Sequence, residues 1–314
     1  MTRGRFAPSP TGRMHLGNVL SALLSWLSAR SKGGEWLLRI EDIDPQRSRQ
    51  EYASLLMDDL QWLGLSWDRE PLYQHTRSDI YEHYYQLLCQ RDLTYPCYCT
   101  RADLLATQAP HESDGRVVYP GTCRPKAFQK NQSNQSNQNN QNNLSIQNIQ
   151  NNQAATRLLV PDEDIAFTDG HYGPQCVNLE REVGDFIIRR KDGAWAYQLA
   201  VVVDDGLTGV TEVVRGRDLL LSSPQQIYLA RLLGFTPPQF IHLPLLCNAQ
   251  RQRLSKRDRS MDMASLRQHY TAPQLIGRLA HLVGLLPDPQ PVLPTELLSL
   301  FSWDKIPQDN IYIS

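Results

Sequence analysis

An α/β fold built on a doubly wound parallel sheet is predicted by three observations. The chain opens strand–helix–strand–helix, the pattern breaks after Tyr95, and it returns at Asp185. Arg5-Phe-Ala7 is a short strand ending at the turn Pro8-Ser-Pro-Thr-Gly12. From His15 to about Ser31, Val19, Leu20, Leu23, Leu24 and Leu27 recur at three- and four-residue spacing. That spacing predicts an amphipathic helix, stopped by Gly33-Gly34. Trp36 to Asp42 supplies the second strand. Asp44-Pro45, a capping residue followed by proline, predicts the start of a second helix, which Tyr52, Leu55, Leu56, Leu60 and Leu63 continue.

After Tyr95 comes a cysteine-rich segment. Residues 129–153 follow, mostly Asn, Gln and Ser. Such a tract cannot bury enough apolar surface to order itself, so a disordered surface insertion is expected there. The α/β character resumes with Asp185–Arg189 and Ala196–Asp205, and Pro224–Leu233 is helix-like. The tail beyond about Asp262 is expected to be short and helical. The predicted organisation is a split sheet domain in two halves, 1–95 and 181–261. An inserted subdomain, 96–180, separates them, and a C-terminal segment, 262–314, follows.

A chain of 314 residues with 41% apolar residues and 6 Trp can build a sizeable core. Its net charge of −1 shows no overall basic bias toward nucleic acid. Enzymes acting on nucleic acids often confine positive charge to one face, so this excludes little. The first ten residues contain no apolar run, so no signal peptide is expected. Apolar stretches such as Leu199–Val203 are too short to span a bilayer. Six Cys without secretory features suggest reduced thiols or a metal. A cytoplasmic protein with no membrane partner is expected. No heptad pattern asks for a dimer, so it is expected to be a monomer.

Two segments carry phosphate chemistry. Pro8, Ser9, Thr11 and Gly12 precede His15-Leu-Gly-Asn18 at the opening of the first helix. A helix N-terminus offers unpaired N–H groups and a positive dipole end, which suit phosphate. Gly17 permits close approach of a purine ring or of backbone. Far along the chain, Arg253-Leu-Ser-Lys-Arg257 is a basic loop in which Lys256, beside Ser255, can reach negative charge developing on ATP. Alone, the first is an ordinary connection and the second a solvated basic loop. Together they predict one ATP site closed by both halves.

A third constellation is Cys97-Tyr-Cys99 with Tyr119-Pro-Gly-Thr-Cys123. Three thiols, two of them sharing one face of a strand, suit a tetrahedral zinc ion if a fourth ligand is found. Tyr119, His111 and His171 are candidates, and chemistry alone favours a His over a phenolate. Cys89, Cys176 and Cys247 lack such company and are expected as buried packing residues.

The two phosphate segments resemble the HIGH and KMSKS motifs of class I aminoacyl-tRNA synthetases. Arg5–Gly12, Arg39-Ile-Glu-Asp-Ile-Asp44, Val203-Asp-Asp205 and Thr211–Asp218 narrow the resemblance to the glutamyl branch. It covers most of residues 3–126 and 173–260. Asn18 stands where the first motif has its second His, and Arg253 where the second motif has its first Lys.

The resemblance implies a Rossmann-type catalytic domain using ATP with Mg²⁺, with His15 and Lys256 as catalytic residues. It places Pro8, Thr11, Gly12, His15, Gly17, Asn18, Ser255 and Lys256 against ATP, and Arg5, Ser9, Glu41, Tyr197 and Arg215 around L-glutamate. The physical logic agrees. Glutamate brings two carboxylates and an ammonium, and each charge needs an opposite partner in a partly dry pocket. Arg5 and Arg215 suit the carboxylates, Glu41 the ammonium, and Tyr197 can donate a hydroxyl. The resemblance further implies that glutaminyl-type enzymes lack an Arg at the position of Arg215, so that Arg215 favours glutamate over glutamine.

The Cys-x-Cys…Tyr-x3-Cys arrangement is similar to that of the bacterial glutamyl-Q tRNA(Asp) synthetases, in which the Tyr ligates zinc. This implies one structural Zn²⁺ held by Cys97, Cys99, Tyr119 and Cys123. A full glutamyl-tRNA synthetase continues into a helical anticodon-binding domain, whereas only residues 258–314 follow Arg257 here. The resemblance therefore implies the truncated paralogue. That enzyme activates glutamate without tRNA and transfers it to the queuosine base at the wobble position of tRNA(Asp). The alternatives are charging of a tRNA 3′ end and a non-catalytic tRNA-binding paralogue.

Overall fold

Leu37 and Leu38, Val213 and Val214, and Phe240 and Ile241 are adjacent pairs whose two members enter different apolar clusters. Side chains alternate across a strand, so strands with both sides buried must have apolar layers on each face of one sheet. The computed structural model describes residues 1–99, 118–125, 154–248, 250–251, 254 and 261–313.

The chain opens with β1 (Arg3–Phe6), α1 (Leu16–Ser31), β2 (Glu35–Ile40), α2 (Gln50–Trp62), β3 (Asp68–Tyr73) and α3 (Ser78–Gln90). β1, β2 and β3 are parallel neighbours, with Arg5 opposite Leu37. β4 (Thr94–Cys97), β5 (Ala155–Leu158), the hairpin β6 (Asp164–Asp169) and β7 (Gly173–Asn178), and β8 (Phe186–Arg189) follow. Then α4 (Tyr197–Thr208) leads into β9 (Glu212–Gly216), α5 (Ser223–Leu232) and β10 (Gln239–Leu243), with β9 and β10 parallel.

The two sets of strands meet at β1 and β9. Thr211 N donates to Arg3 O at 2.9 Å, and Arg3 N donates to Thr211 Oγ1 at 2.9 Å. The parallel layer thus runs β3-β2-β1-β9-β10, and the direction of connection reverses between β1 and β9. In open α/β sheets such a switch point is where ligands bind, at the carboxyl ends of the strands. Helices α1 and α2 pack on one face together with residues of the C-terminal segment. Helices α3, α4 and α5 pack on the other.

Helix α1 lies where its periodicity predicts. Val19, Leu20, Leu23, Leu24 and Leu27 are all buried, and His15 is its N-cap. The second helix does not begin at Asp44-Pro45 but at Gln50. Asp44 instead closes a turn, accepting from Gln46 N through Oδ1, and Arg190 NH1 takes its Oδ2 at 3.1 Å. The cap-like carboxylate is therefore spent on a partner from the far half of the chain.

The described residues of the expected insertion share a sheet with both halves. The antiparallel sheet β4-β5-β8 takes β4 from the boundary at residue 95, β5 from the insertion and β8 from the second half. The expected boundary at residue 180 falls inside a helical turn, Leu179–Val183. Buried Asp185 ties this sheet together, accepting from Tyr95 OH at 2.6 Å and Val160 N at 2.8 Å. The tract 129–153 lies outside the described residues.

The C-terminal segment contains α6 (Met263–His269) and α7 (Ala272–Leu282), and it is not wholly helical. It ends in a strand, β12 (Ile311–Tyr312), parallel to β11 (Leu246–Cys247). Among the described residues no helix is long and apolar enough to cross a membrane.

Candidate active site

A cleft of roughly 160 Å³ opens at the β1/β9 switch point, lined by Arg5, Pro8, His15, Gly17, Asn18 and Arg215 among others. Strand ends deliver the two arginines, the loop after β1 delivers Pro8, and the N-cap and first turn of α1 deliver His15, Gly17 and Asn18. Ser9, which is exposed, and Thr11 and Gly12 belong to the connecting loop and do not line the cleft. Ser255 and Lys256 lie outside the described residues. Their flanks are described: Leu254 is buried and lines the cleft, and Asp262 forms a β-bridge with His15.

The opening of α1 is a reciprocal cap. His15 Nδ1 accepts from Gly17 N at 3.1 Å, and Asn18 Oδ1 accepts from His15 N at 3.1 Å. With Nδ1 accepting, the neutral imidazole carries its proton on Nε2, a donor suited to phosphate oxygen. A Cβ on Gly17 would stand 3.0 Å from His15 Cε1. The close approach that Gly17 permits is thus by the His15 ring itself.

Beneath the cleft lies a buried ionic cluster that the sequence reading missed. Arg39 NH1 donates to Asp205 Oδ1 at 2.5 Å and Arg39 NH2 to Glu41 Oε1 at 3.2 Å, while Asp204 lies 3.9 Å from Arg39 Nε. Arg5 Nε lies 3.6 Å from Asp205 Oδ1 and has no hydrogen-bond partner among the described residues. Burial acts to raise both Asp205 and Glu41. At Asp205 the charges of Arg39 and Arg5 outweigh it and hold the carboxyl below its usual range. At Glu41 burial wins and the carboxyl is raised. Glu41 N donates to Pro8 O at 3.0 Å, which ties the end of β2 to the cleft loop. Glu41 and Tyr197 do not line the cleft; Tyr197 lies within electrostatic reach of Glu41, Arg215 and Arg5, and Glu41 within reach of Arg5.

Arg215, 5% exposed, has a different environment. Its Nε donates to His242 Nε2 at 3.1 Å, NH1 to Gln226 Oε1 at 2.7 Å, and NH2 to Ser223 Oγ at 2.8 Å and Leu219 O at 3.3 Å. Tyr197 lies close by. Every one of these partners is neutral, and Arg215 makes no ion pair among the described residues. Such a buried guanidinium is oriented but not neutralised, which suits it to an incoming carboxylate.

The four predicted metal-site residues come together at the end of β4. The Cys97, Cys99 and Cys123 thiols lie within 4.8 Å of one another. Tyr119 OH is 3.5 Å from Cys97 Sγ and 4.0 Å from Cys99 Sγ. Tetrahedral Zn–S bonds of about 2.3 Å would set sulfurs about 3.8 Å apart, and Cys99 and Cys123 are 3.5 Å apart. Arg157 lies over the Tyr119 ring at 3.5 Å, and Cys123 N donates to Tyr119 OH at 2.7 Å. Burial outweighs that hydrogen bond and pushes the Tyr119 hydroxyl well up, so a phenolate there needs the charge of a metal beside it. Burial, together with the hydrogen bond shared with Cys123, pushes Cys99 up to about 11. At Cys97 burial acts to raise the thiol, but the neighbouring Arg157 and Tyr119 side chains outweigh it and the thiol is lowered. His171 is elsewhere, with Nε2 on Pro307 O, and His111 is outside the described residues. Cys247 is buried and Cys89 half-buried, but Cys176 is exposed, because it sits on the outward face of β7.

Among known families, the one described as tRNA synthetases class I (E and Q), catalytic domain, matches residues 1–289. Glutamyl-Q tRNA(Asp) synthetases of Nitratidesulfovibrio vulgaris and Deinococcus radiodurans are each 44% identical to this chain. The first match covers 98% of this chain and 94% of the relative, the second 95% of each. A glutamate tRNA ligase from Elizabethkingia meningosepticum, solved in complex with its amino acid, superposes with a TM-score of 0.78 at 27% identity. The match covers all of this chain and 67% of that one. The chain belongs to the class I (E and Q) tRNA synthetases and, within them, to the glutamyl-Q tRNA(Asp) synthetases.

Proposed function

We propose that the chain activates L-glutamate with ATP and Mg²⁺, without tRNA, and passes the glutamyl group to the queuosine base of tRNA(Asp). The observation that carries glutamate selection is Arg215, a buried cation at the cleft wall whose partners are all neutral. A glutamate side-chain carboxylate supplies the missing charge, and a glutamine amide does not. The second half rests on the family, whose members named above are glutamyl-Q tRNA(Asp) synthetases.

In the first step the α-carboxylate oxygen attacks the α-phosphorus of ATP and the bond to pyrophosphate breaks. Arg5 and Arg215 receive the two carboxylates, Glu41 receives the ammonium, and Tyr197 donates its hydroxyl to the bound glutamate. His15 Nε2–H and the amide groups at the start of α1 take phosphate oxygens. Pro8, Gly17 and Asn18 shape the wall beside the nucleotide, with Ser9, Thr11 and Gly12 in the loop above. Lys256, two residues beyond Leu254 and next to Ser255, stabilises the charge that develops on the phosphates. In the second step a hydroxyl of the modified base attacks the acyl carbon and AMP leaves. Holding both reactants in one cleft supplies much of the rate. A Zn²⁺ held by Cys97, Cys99, Tyr119 and Cys123 would cross-link β4 to residues 118–125 and take no part in the reaction. The enzyme works as a cytoplasmic monomer.

The test is glutamate-dependent ATP–pyrophosphate exchange with no tRNA present, followed by mapping of the glutamylated nucleoside. Exchange is expected with glutamate and not with glutamine, and label is expected to survive removal of the tRNA terminal adenosine. No exchange at saturating substrates would sink the reading, as would wild-type exchange in Lys256→Ala for that lysine.

A further inference from the structure

Asp169, His242 and Arg215 form a line of three buried side chains from the β6–β7 turn to the cleft. Each link has a direction. Asp169 Oδ1 accepts from the backbone N–H groups of His171 at 3.0 Å and Tyr172 at 2.9 Å, and Oδ2 faces His242 Nδ1 at 2.6 Å. A carboxylate only accepts, so Nδ1 carries the ring proton. Nε2 is then a bare lone pair, and it takes the Arg215 Nε–H at 3.1 Å. Burial, helped by the nearby Arg215 charge, holds His242 below its ordinary value, so the ring stays neutral. The other tautomer would set N–H against N–H. The turn has little freedom to adjust, because His171 Nε2 bonds Pro307 O at 3.1 Å and Tyr172 OH donates to Gln308 O at 2.7 Å.

We propose that Asp169 is a positioning residue for amino-acid selection: by fixing the tautomer of His242 it fixes the guanidinium plane of Arg215, and with it the preference for a carboxylate over an amide. This rests on the reading of Arg215 as a glutamate-binding residue. Neither Asp169 nor His242 lines the cleft, so both act through Arg215.

Asp169→Asn is the decisive variant. Its amide oxygen must keep the two backbone donors of the turn, which points its NH₂ at His242 Nδ1. The proton then moves to Nε2, opposite Arg215 Nε–H. In the exchange assay the KM for glutamate is expected to rise at least tenfold, with the KM for ATP held within twofold and discrimination against glutamine reduced. His242→Gln offers an amide oxygen near the Nε2 position and has no tautomer to choose. Adding Asp169→Asn to it should leave the glutamate KM where His242→Gln alone puts it. An unchanged glutamate KM in the single variant overturns the proposal, as does an equal further rise in the Gln background. Should Asp169→Asn fail to fold, His242→Asn carries the test. It keeps a donor to Asp169 and deletes the acceptor for Arg215, so the same rise is expected and an unchanged KM overturns the proposal. Arg215→Lys, measured alongside, separates the two levels. If it leaves the glutamate KM unchanged, the reading of Arg215 itself fails. If it raises the KM and Asp169→Asn does not, only the positioning role fails.

Discussion

Asn18 Oδ1 accepts the backbone N–H of His15, so the residue standing in place of the motif's second histidine holds the first one in position. The ring of His15 bends over Gly17, whose missing side chain leaves it room. Gly17→Ala should therefore displace the imidazole without unfolding α1, because alanine is the better helix former. Exchange is expected to fall at least tenfold with the melting temperature unchanged or raised. A variant with wild-type exchange would refute this account of Gly17.

Replacing Arg215 by Met removes the fork and leaves Gln226 and Ser223 without their donor. The glutamate KM is expected to rise a hundredfold or more, consistent with about 3 kcal/mol for a charge-assisted pair. The variant should also lose stability, because buried Gln226, Ser223 and His242 are left without their donor. Steady-state exchange and a urea melt read the two effects separately.

Glu41 and Asp205 make opposite contributions with pH. Asp205, lowered, contributes stability above its unfolded value of about 4, and this is lost as the pH falls through its folded value. Glu41, raised, contributes stability below its unfolded value, lost as the pH rises through its folded value. Ionised Glu41 therefore costs stability at neutral pH. Glu41→Gln is expected to raise the melting temperature at pH 7 but not at pH 4, while weakening glutamate binding at least tenfold. An equal gain at both pH values would contradict the sign.

Arg39 is the counter-ion for Asp205 and Glu41 and lies near Asp204. Arg39→Met strands buried carboxylates, a change that costs about 3–5 kcal/mol when one partner of a buried pair is removed. Chemical denaturation should show that loss, and Asp205→Asn in the same chain should recover part of it. No recovery would mean that Arg39 acts mainly through its packing.

Zinc content tests the third constellation. Protein prepared without chelators should carry about one zinc per chain, and Cys123→Ala much less, with a lower melting temperature. Chelation should reproduce the shift in the wild type and not in the variant. Wild-type protein free of zinc would return the three thiols to ordinary packing.

What could be read from sequence was local. The helix from His15 to Ser31 declared itself because its apolar stripe and cap lie within one short segment. Arg5, His15 and Arg215 could be singled out together, yet nothing in their order revealed that the carboxyl ends of β1 and β9 bring them to one cleft. Asp44 looked like a helix cap and became a turn because Arg190, far along the chain, competes for its carboxylate. Cys176 was expected inside, but the pleat of β7 turns it outward. Asp169 and His242 carry no local signal at all. Their meaning depends on which atom faces which, and that is a property of three strands assembled.

Strand β12 has a practical bearing. Ile311 N bonds Leu245 O at 2.9 Å and Ile313 N bonds Cys247 O at 2.9 Å, and Leu245 is part of the cleft wall. Removing residues 311–313 would disturb the wall of the cleft. Arg3 plays the same part at the seam between the two halves, where its backbone bonds Thr211.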